Sequence, residues 1–197
     1  MDNEHSSSDK SPQLPKSSQR MDVVFVDPPH PATKTPEELL TECGLRTQRR
    51  SGPGGQHRNK TSSGVFLQHE PTGIVGEATE RRSQADNRAI ALQRLRFRLA
   101  VEVRTPSVLD GPVLSEEILL REQYRGNSMK MSDGNDAKPA ILALVLNDLH
   151  ASGGQPSAVA PFWETTTSSI VRLVKSHSAA FTLLNAIRSH HGRSGLK

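Results

Sequence analysis

Glycine, glutamine and arginine are concentrated in one short stretch of this chain, the segment Arg49–Thr61, which reads RRSGPGGQHRNKT. Glycines this dense allow backbone dihedrals that are closed to residues with a Cβ, so main-chain N–H groups can approach a ligand closely. Gln56 has no useful pKa and can only position water and exchange hydrogen bonds. The segment therefore predicts a reaction driven by geometry and oxyanion-type stabilisation on an anionic substrate.

The same tripeptide occurs a second time, as Gly153-Gly154-Gln155. This copy follows a predicted helix, where Gly153 suits the position after the last turn, and it precedes Pro156, which restricts the backbone of Gln155. No arginine neighbours it. We predict a structural role for this copy, so the tripeptide alone carries no functional signal.

Basic charge is unevenly distributed along the 197 residues, whose net charge is +4. Residues 45–104 carry +7 and residues 165–197 carry +5 with no acid, whereas 1–44 and 105–164 are each −4. Two basic stretches separated by acidic ones indicate two contacts with a polyanion, most plausibly a nucleic acid. Arginine-rich helices that are simply solvated remain the alternative.

Several classes of protein and site are excluded by composition. No apolar run approaches the roughly 20 residues that span a bilayer. Residues 1–20 lack the apolar block of a signal peptide and are too acidic for a mitochondrial transit segment, so a bacterial-type cytosol is expected. Cys43 is the single cysteine, and His190 and His191 are adjacent and cannot face one ligand on a helix. We expect no metal and no cofactor.

Turn and capping signals predict a small α+β unit over residues 35–104. Thr35-Pro36-Glu37-Glu38 is a capping box that opens a short helix with Leu39, Leu40 and Cys43 facing inward, ended by Gly44 in a left-handed cap. Strands are predicted at 45–50, 64–69 and 74–79, the last two joined by a turn at 70–73. A long helix begins near Ser83. Its predicted buried stripe is Ala85, Ala89, Leu92, Leu95, Leu99 and Val103, with Arg88, Arg94 and Arg98 facing outward.

The rest of the chain divides into three parts. Residues 1–34 are expected to be a disordered tail and linker, in which Val23–Val26 is either a strand or an N-terminal anchor. Residues 105–137 form a linker with one helix at Ser115–Tyr124. Residues 138–197 form a basic helical module with helices at Pro139–His150, Ser157–Trp163, Ile170–His177 and Ser178 to Gly192. A helix-turn-helix and a plain bundle both fit this spacing, and Trp163 is expected to be a core anchor.

Four motifs together resemble the catalytic domain of prokaryotic-type class I peptide chain release factors and of the related codon-independent ribosome-rescue hydrolases. They are Ser51–Thr61, the hairpin His69–Val75, the stretch Glu80–Gln84 with Asn87, and the basic helix at Leu92–Arg96. The resemblance covers roughly residues 45–104. It implies a small catalytic domain named for its Gly-Gly-Gln loop, with a hairpin sheet and a packed long helix.

The resemblance also implies a function and a site. Such a loop enters the ribosomal peptidyl transferase centre and triggers hydrolysis of the ester that joins the nascent peptide to tRNA. Gln56 would be catalytic, with Gly54 and Gly55 permitting its backbone conformation. The implied partners are large-subunit ribosomal RNA and peptidyl-tRNA, with a second RNA contact from the basic C-terminal module of a monomer. The residues implied to bind RNA are Arg49, Arg50, Arg58, Lys60, Arg81, Arg82, Arg88, Arg94 and Arg98.

Two departures from the family pattern refine this expectation. Arg58 replaces the small apolar residue that release factors commonly have. Only about 50 residues precede the loop, too few for a stop-codon-reading domain, so codon-independent release is expected. The alternatives are an RNA- or ribosome-binding factor without hydrolysis and a helix-turn-helix DNA-binding regulator. The intact Gly54-Gly55-Gln56 argues against both.

Overall fold

The computed structural model describes residues 14–48 and 63–197, which form a mixed α+β structure. Short 3-10 turns occur at Ser17–Gln19, Pro31–Thr33, Gly126–Met129 and Ala160–Trp163. In chain order the strands and helices are β1 (Val24–Phe25), α1 (Pro36–Thr41), β2 (Cys43–Gln48), β3 (Gly64–His69), β4 (Val75–Ala78), α2 (Gln84–Glu102), β5 (Val103–Arg104), α3 (Ser115–Tyr124), α4 (Lys138–Ala151), α5 (Pro156–Val159), α6 (Thr167–Lys175) and α7 (Ser178–His190).

A three-stranded antiparallel sheet and α2 form the first hydrophobic core. The strand order is β2-β3-β4, and α2 packs across β3 and β4. The predicted hairpin between β3 and β4 is confirmed, because the Gly73 N–H donates to His69 O at 2.8 Å and Gly73 has φ of +71°. The core is built from Leu39, Val65, Leu67, Ile74, Ala91, Leu95 and Leu99.

Gly76 sets how closely strand and helix approach. A Cβ built on Gly76 would lie 2.2 Å from Ala91 O and 2.6 Å from Leu95 N. Real side chains do not tolerate such distances, so glycine allows β4 to lie directly against the backbone of α2.

The second core is helical and centres on α4, whose fourteen residues are all buried. Helices α3, α5, α6 and α7 pack against it, and α4 itself packs against α2, which brings the two cores into contact. Trp163 is fully buried in this core, which confirms its predicted role as an anchor. The described helices surround α4 as in a helical bundle. No helix in this part of the chain combines the length and apolar character needed to cross a membrane.

In the described part of the N-terminal segment, residues 14–34, His30, Pro31 and Ala32 are buried and β1 is paired, which differs from the expectation of a disordered tail and linker. β1 pairs in parallel with β5, so the strand interpretation of Val23–Val26 is the one that the structure adopts. Arg20 forms an ion pair of 2.6 Å with Asp110, and His30 is fully buried. These partners are distant in sequence, so the composition of the N-terminal segment alone does not predict the contacts.

Two details of the predicted α+β unit differ from the structure. The capping box at Thr35 is present, but Gly44 does not end α1; Glu42 is the C-cap, and Gly44 is paired with Gln68 inside the sheet. The buried stripe of α2 is also displaced. Ala85 and Ala89 are exposed, and the buried positions are Asn87, Ala91, Leu95, Leu99 and Ala100. The displacement arises because the first buried position is Asn87. A polar residue is not included when a buried stripe is predicted from the spacing of apolar residues.

Candidate functional site

The structure describes the surroundings of the predicted catalytic tripeptide and not the tripeptide itself. These residues lie outside the described part of the chain: Arg49, Arg50, Gly54, Gly55, Gln56, Arg58 and Lys60. Their roles therefore stay predictions from sequence. The structure does place the residues on either side of this segment and the helix behind it.

β2 and β3 hold the two flanks of the Gly-Gly-Gln segment side by side. The strands are antiparallel neighbours, and their register pairs Gln48, the last described residue before the segment, with Gly64, three residues after Thr61. A Cβ at Gly64 would lie 3.0 Å from Gln48 O and 3.2 Å from Thr79 Cγ2, so glycine suits this crowded pair. The segment thus connects the ends of a strand pair in which β3 packs on α2.

Asn87 anchors the exit of this segment to α2. Its side chain is fully buried, and its Nδ2 donates to Ser63 O at 2.6 Å and to Arg81 O at 2.9 Å. Its Oδ1 accepts from the Arg81 N–H at 2.9 Å. One amide therefore joins the residue before β3, the turn before α2 and the first turn of α2. Sequence reasoning missed this role, although a polar residue spaced four positions before Ala91 was the available signal.

Three of the predicted RNA-binding arginines are exposed around the start of α2. Arg81 and Arg82 precede the helix, whose N-cap Ser83 accepts from Asp86 N at 3.2 Å, and Arg88 lies one turn further on. Among residues 14–48 and 63–197, no carboxylate pairs with any of the three. Exposed guanidinium groups of this kind suit bidentate contacts with phosphate.

Arg94 and Arg98 are exposed as predicted, but each is engaged within the chain. Arg94 pairs with Glu80 at 2.6 Å and donates to Glu77 O at 2.8 Å. Arg98 pairs with Glu102 at 2.7 Å and donates to Val75 O at 2.6 Å. The pKa of Glu80 is lowered, first by the Thr79 N–H that donates to it and also by Arg94. These two arginines stabilise the α2–β4 contact, and binding phosphate would compete with that role.

An open groove of about 460 Å³ runs between β4, α2 and the start of α7, with both of these arginines on its lining. Phe97 and His177 also line it, with their rings stacked at 5.0 Å between centroids. Glu77 contributes an acid, and the pairing of both arginines leaves little free positive charge. This groove does not have the electrostatics of an RNA-binding surface.

The second Gly-Gly-Gln tripeptide has the structural role that its sequence context predicts. Gly153 and Gly154 have φ of +64° and +73°, and they form the turn that follows α4. Arg188 donates to Gly154 O at 2.7 Å and Arg193 donates to Gly153 O at 3.1 Å. Two of the five bases in the C-terminal stretch therefore hold this turn, whereas Arg172 and Lys175 on α6 are exposed.

The cysteine thiol and the clustering of possible metal ligands were the two features left to place in the described residues. The Cys43 thiol donates to Leu39 O at 3.1 Å, and burial is the main cause that raises its pKa to about 11, which keeps it protonated. No group of three histidine, cysteine or acidic side chains in this part of the chain could hold a metal ion.

Arg104, counted in the first basic stretch, is fully buried and donates to Ala100 O and Val101 O, with its pKa lowered by burial to about 9.

Comparison with known proteins relates the sheet and helix α2 to a described family. Residues 39–108 match the family described as RF-1 domain. Over 64 residues the chain is 60% identical to peptide chain release factor 2 of Acidovorax sp. (strain JS42), a match covering 32% of this chain and 16% of that protein. Over 55 residues it is 53% identical to the mitochondrial peptide chain release factor 1-like protein of Rattus norvegicus, covering 28% and 15%.

A third relative extends the match a little further along the chain. Peptide chain release factor 1 of Verminephrobacter eiseniae (strain EF01-2) is 47% identical over 79 residues, which cover 40% of this chain and 21% of that protein. The chain thus matches between about one seventh and one fifth of the length of these relatives. The RF-1 domain and these relatives place residues 39–108 in a class I peptide chain release factor-like family.

Proposed function

We propose that this protein hydrolyses the ester bond between nascent peptide and tRNA on the ribosome, without reading a stop codon. The observation that carries the proposal is the position of Gly54-Gly55-Gln56. The tripeptide falls in the segment between the paired strands β2 and β3 of an RF-1 domain, the domain shared with proteins named peptide chain release factors.

The chemistry assigned to Gln56 needs no titratable group. Its backbone N–H stabilises the charge that develops on the ester and on the departing ribose oxygen, and its side chain orients the attacking water. Gly54 and Gly55 supply the backbone freedom that brings this N–H to the reacting atoms. Cys43 takes no part, because its thiol is protonated and donates to Leu39 O.

Ribosomal RNA phosphates are the proposed partners of the basic residues near the tripeptide. Arg81, Arg82 and Arg88 are exposed on the surface that adjoins the segment exit at Ser63, which Asn87 ties to Arg81. Arg94 and Arg98 contribute less, because they are paired with glutamates. The residues assigned from sequence alone are Arg49, Arg50, Arg58 and Lys60.

Peptide release from purified ribosomes tests this function. Ribosomes stalled on an mRNA without a stop codon, on an mRNA with a stop codon in the A site, and split large subunits with peptidyl-tRNA form three arms. Wild type is compared with Gly54→Ala, Gln56→Ala and the matched control Gln155→Ala in the second tripeptide. We expect release on the non-stop complex. Gly54→Ala should lower release by about 100-fold or more, because it displaces the N–H that serves as the oxyanion donor, and Gln56→Ala should lower release because the side chain that orients the attacking water is lost.

The control variant and the three ribosomal complexes distinguish the possible outcomes. Gln155→Ala retains release, since the hydrogen bond of the Gln155 side chain is local, with Nε2 donating to Ser152 O at 2.9 Å. Release confined to stop codons contradicts codon independence. Tight ribosome binding with no release in any arm contradicts hydrolysis and makes the protein a ribosome-binding factor.

A further inference from the structure

A second basic site lies in the C-terminal module, far along the chain from the Gly-Gly-Gln segment. A cavity of about 300 Å³ opens between the connection that precedes α4 and one side of α6. Lys130, Lys138 and Arg172 line it, together with Ser132 and a single acid, Asp133. The charged side chains therefore leave the lining two charges positive.

Lys138 is the unusual member of this lining. The residue is 2% exposed, although a lysine is almost never fully buried without partners. Among the described residues its ammonium has one acceptor, Asp133 Oδ1 at 2.5 Å, and that carboxylate is on a side chain that is 93% exposed. An ammonium has three N–H donors. The remaining donors border the cavity, where a bound acceptor would satisfy them.

The other two cations are available to the same acceptor. Lys130 and Arg172 are both exposed, and neither forms an ion pair with a carboxylate in residues 14–48 and 63–197. They come from different elements, the connection before α4 and helix α6, so they approach the cavity from two sides. Lys138, at the start of α4, forms its floor.

We propose that this cavity binds a phosphate group. A tetrahedral anion with several oxygens matches cations that converge from three elements, and Arg172 offers the bidentate geometry that phosphate favours. When the site is empty, the Asp133 carboxylate pairs with the Lys138 ammonium. This ion pair breaks when phosphate binds. The phosphate comes from one of two sources, the backbone of an RNA or a free phosphomonoester. The site does not depend on the proposed hydrolysis.

Calorimetric titration of the full chain with inorganic phosphate, adenosine 5′-monophosphate and adenosine tests the proposal. Arg172→Glu changes a cavity residue, and Lys175→Glu makes the same charge change three residues away on α6, outside the cavity. We expect inorganic phosphate to bind about tenfold or more weakly to Arg172→Glu, because a charge-assisted contact is lost, and nearly normally to Lys175→Glu. Asp133→Asn removes the competing carboxylate and should bind phosphate several-fold more tightly.

A hexauridylate without terminal phosphates distinguishes the two sources. The same ranking of variants for this probe identifies the RNA backbone, whereas a ranking seen only with inorganic phosphate and the nucleotide identifies a free phosphomonoester. Either result supports the site. Equal weakening by Arg172→Glu and Lys175→Glu, unchanged affinity in Asp133→Asn, binding of adenosine equal to that of its monophosphate, or no phosphate binding by wild type overturns it.

Discussion

The two central helices, α2 and α4, pack against each other but differ in how many of their polar side chains are buried. α2 buries one stripe and carries Arg88, Arg94 and Arg98 on the exposed side, with Asn87 as its one buried polar side chain. α4 is buried on every side and includes Lys138, Asn147, Asp148 and His150. An exposed charge on α2 such as Arg88 is therefore available to a partner, whereas a fully buried charge on α4 such as Asp148 is satisfied by neighbouring side chains.

This difference shows why a count of charges along a sequence is a weak guide to partners. Both basic stretches have an excess of arginine, yet Arg104, Arg188 and Arg193 bind main-chain carbonyls of this same chain. Burial and pairing decide which cations remain for a ligand. In the described part of the RF-1 domain, the exposed arginines without a carboxylate partner among the described residues are Arg46, Arg81, Arg82 and Arg88.

The largest effect is expected at Asp148 on α4. This buried carboxylate accepts from Arg121 at 2.6 and 3.0 Å, from Trp163 Nε1 at 2.8 Å and from Ser107 Oγ at 2.7 Å. Asp148→Ala leaves the buried guanidinium of Arg121 without its partner, and we expect the free energy of unfolding to fall by about 3–5 kcal/mol. Urea unfolding followed by circular dichroism measures this change.

The exposed pair Arg125–Glu164 is the control for Asp148. Its atoms are 2.6 Å apart, but both side chains are about half exposed, so Glu164→Ala should cost about 0–1 kcal/mol. Equal losses for the two alanine variants would mean that burial on α4 does not set the cost of a missing partner.

Asn87 is the buried polar side chain by which α2 can be compared with α4. Asn87→Ala leaves Ser63 O and both main-chain groups of Arg81 without their partner, and we expect a loss of about 1–3 kcal/mol in the free energy of unfolding. Peptide release by the variant should fall even where the protein is fully folded, because the exit of the Gly-Gly-Gln segment is no longer tied to α2. The exposed Gln93→Ala on the same helix should change neither stability nor release.

Acid should weaken the junction between the two helices. The turn Pro31–Thr33 packs against both α2 and α4, and His30 caps it: Nδ1 accepts from Ala32 N at 3.1 Å, so Nε2 donates to Val103 O at 3.1 Å. Burial first, and then Arg104, lower the pKa of His30 from 6.5 to about 3. Between these values the unfolded chain binds a proton that the folded chain does not, so stability present above pH 6.5 is lost as the pH falls towards 3.

Urea unfolding between pH 7 and pH 5 measures this loss. One such group contributes up to about 1.4 kcal/mol per pH unit. His30→Ala should flatten the dependence in part, since His150 on α4 also has a pKa lowered mainly by burial. An identical pH slope in wild type and His30→Ala would contradict the neutral, capping role of this imidazole.

The smallest effect on stability is expected at Arg88 on the exposed side of α2. Arg88→Ala should change the free energy of unfolding by less than about 0.5 kcal/mol, because the side chain is exposed and unpaired among the described residues. Ribosome binding should weaken, and the slope of log affinity against log salt should fall by about 1 if Arg88 contacts one phosphate. Arg94→Ala is the matched comparison for Arg88→Ala. Because Arg94 is paired with Glu80, its substitution should change the salt slope less.

Local signals were sufficient for much of the fold. β3 lies at the predicted Gly64–His69, α3 begins and ends at Ser115 and Tyr124, and the turn at Gly73 forms the predicted hairpin. Capping residues, turn residues and apolar periodicity are read within a few positions, so the sequence displays them directly.

Features that depend on distant partners were not predictable in this way. Gly44 joined the sheet because Gln68 pairs with it, and the first turn of α2 exposes Ala85 because Asn87 is buried instead. For the site, Arg81, Arg82 and Arg88 are exposed as a phosphate-binding role requires. The i, i+4 spacing of Arg98 and Glu102 could have indicated their pairing, but Glu80, 14 residues before Arg94, could not be assigned from spacing. The roles of Gly54, Gly55 and Gln56 stay predictions.

The packing of residues 14–34 has a consequence for the order of events during synthesis. Gln19 O is bonded by His190, 171 residues later, and Met21 O by His150, 129 residues later. A ribosome adds about 5–20 residues per second, so the N-terminal segment waits roughly 10–30 s for the last of these partners. During that time β1 can find β5, which is complete once residue 104 has emerged. The segment therefore docks in two stages, first on the RF-1 domain and last on α7.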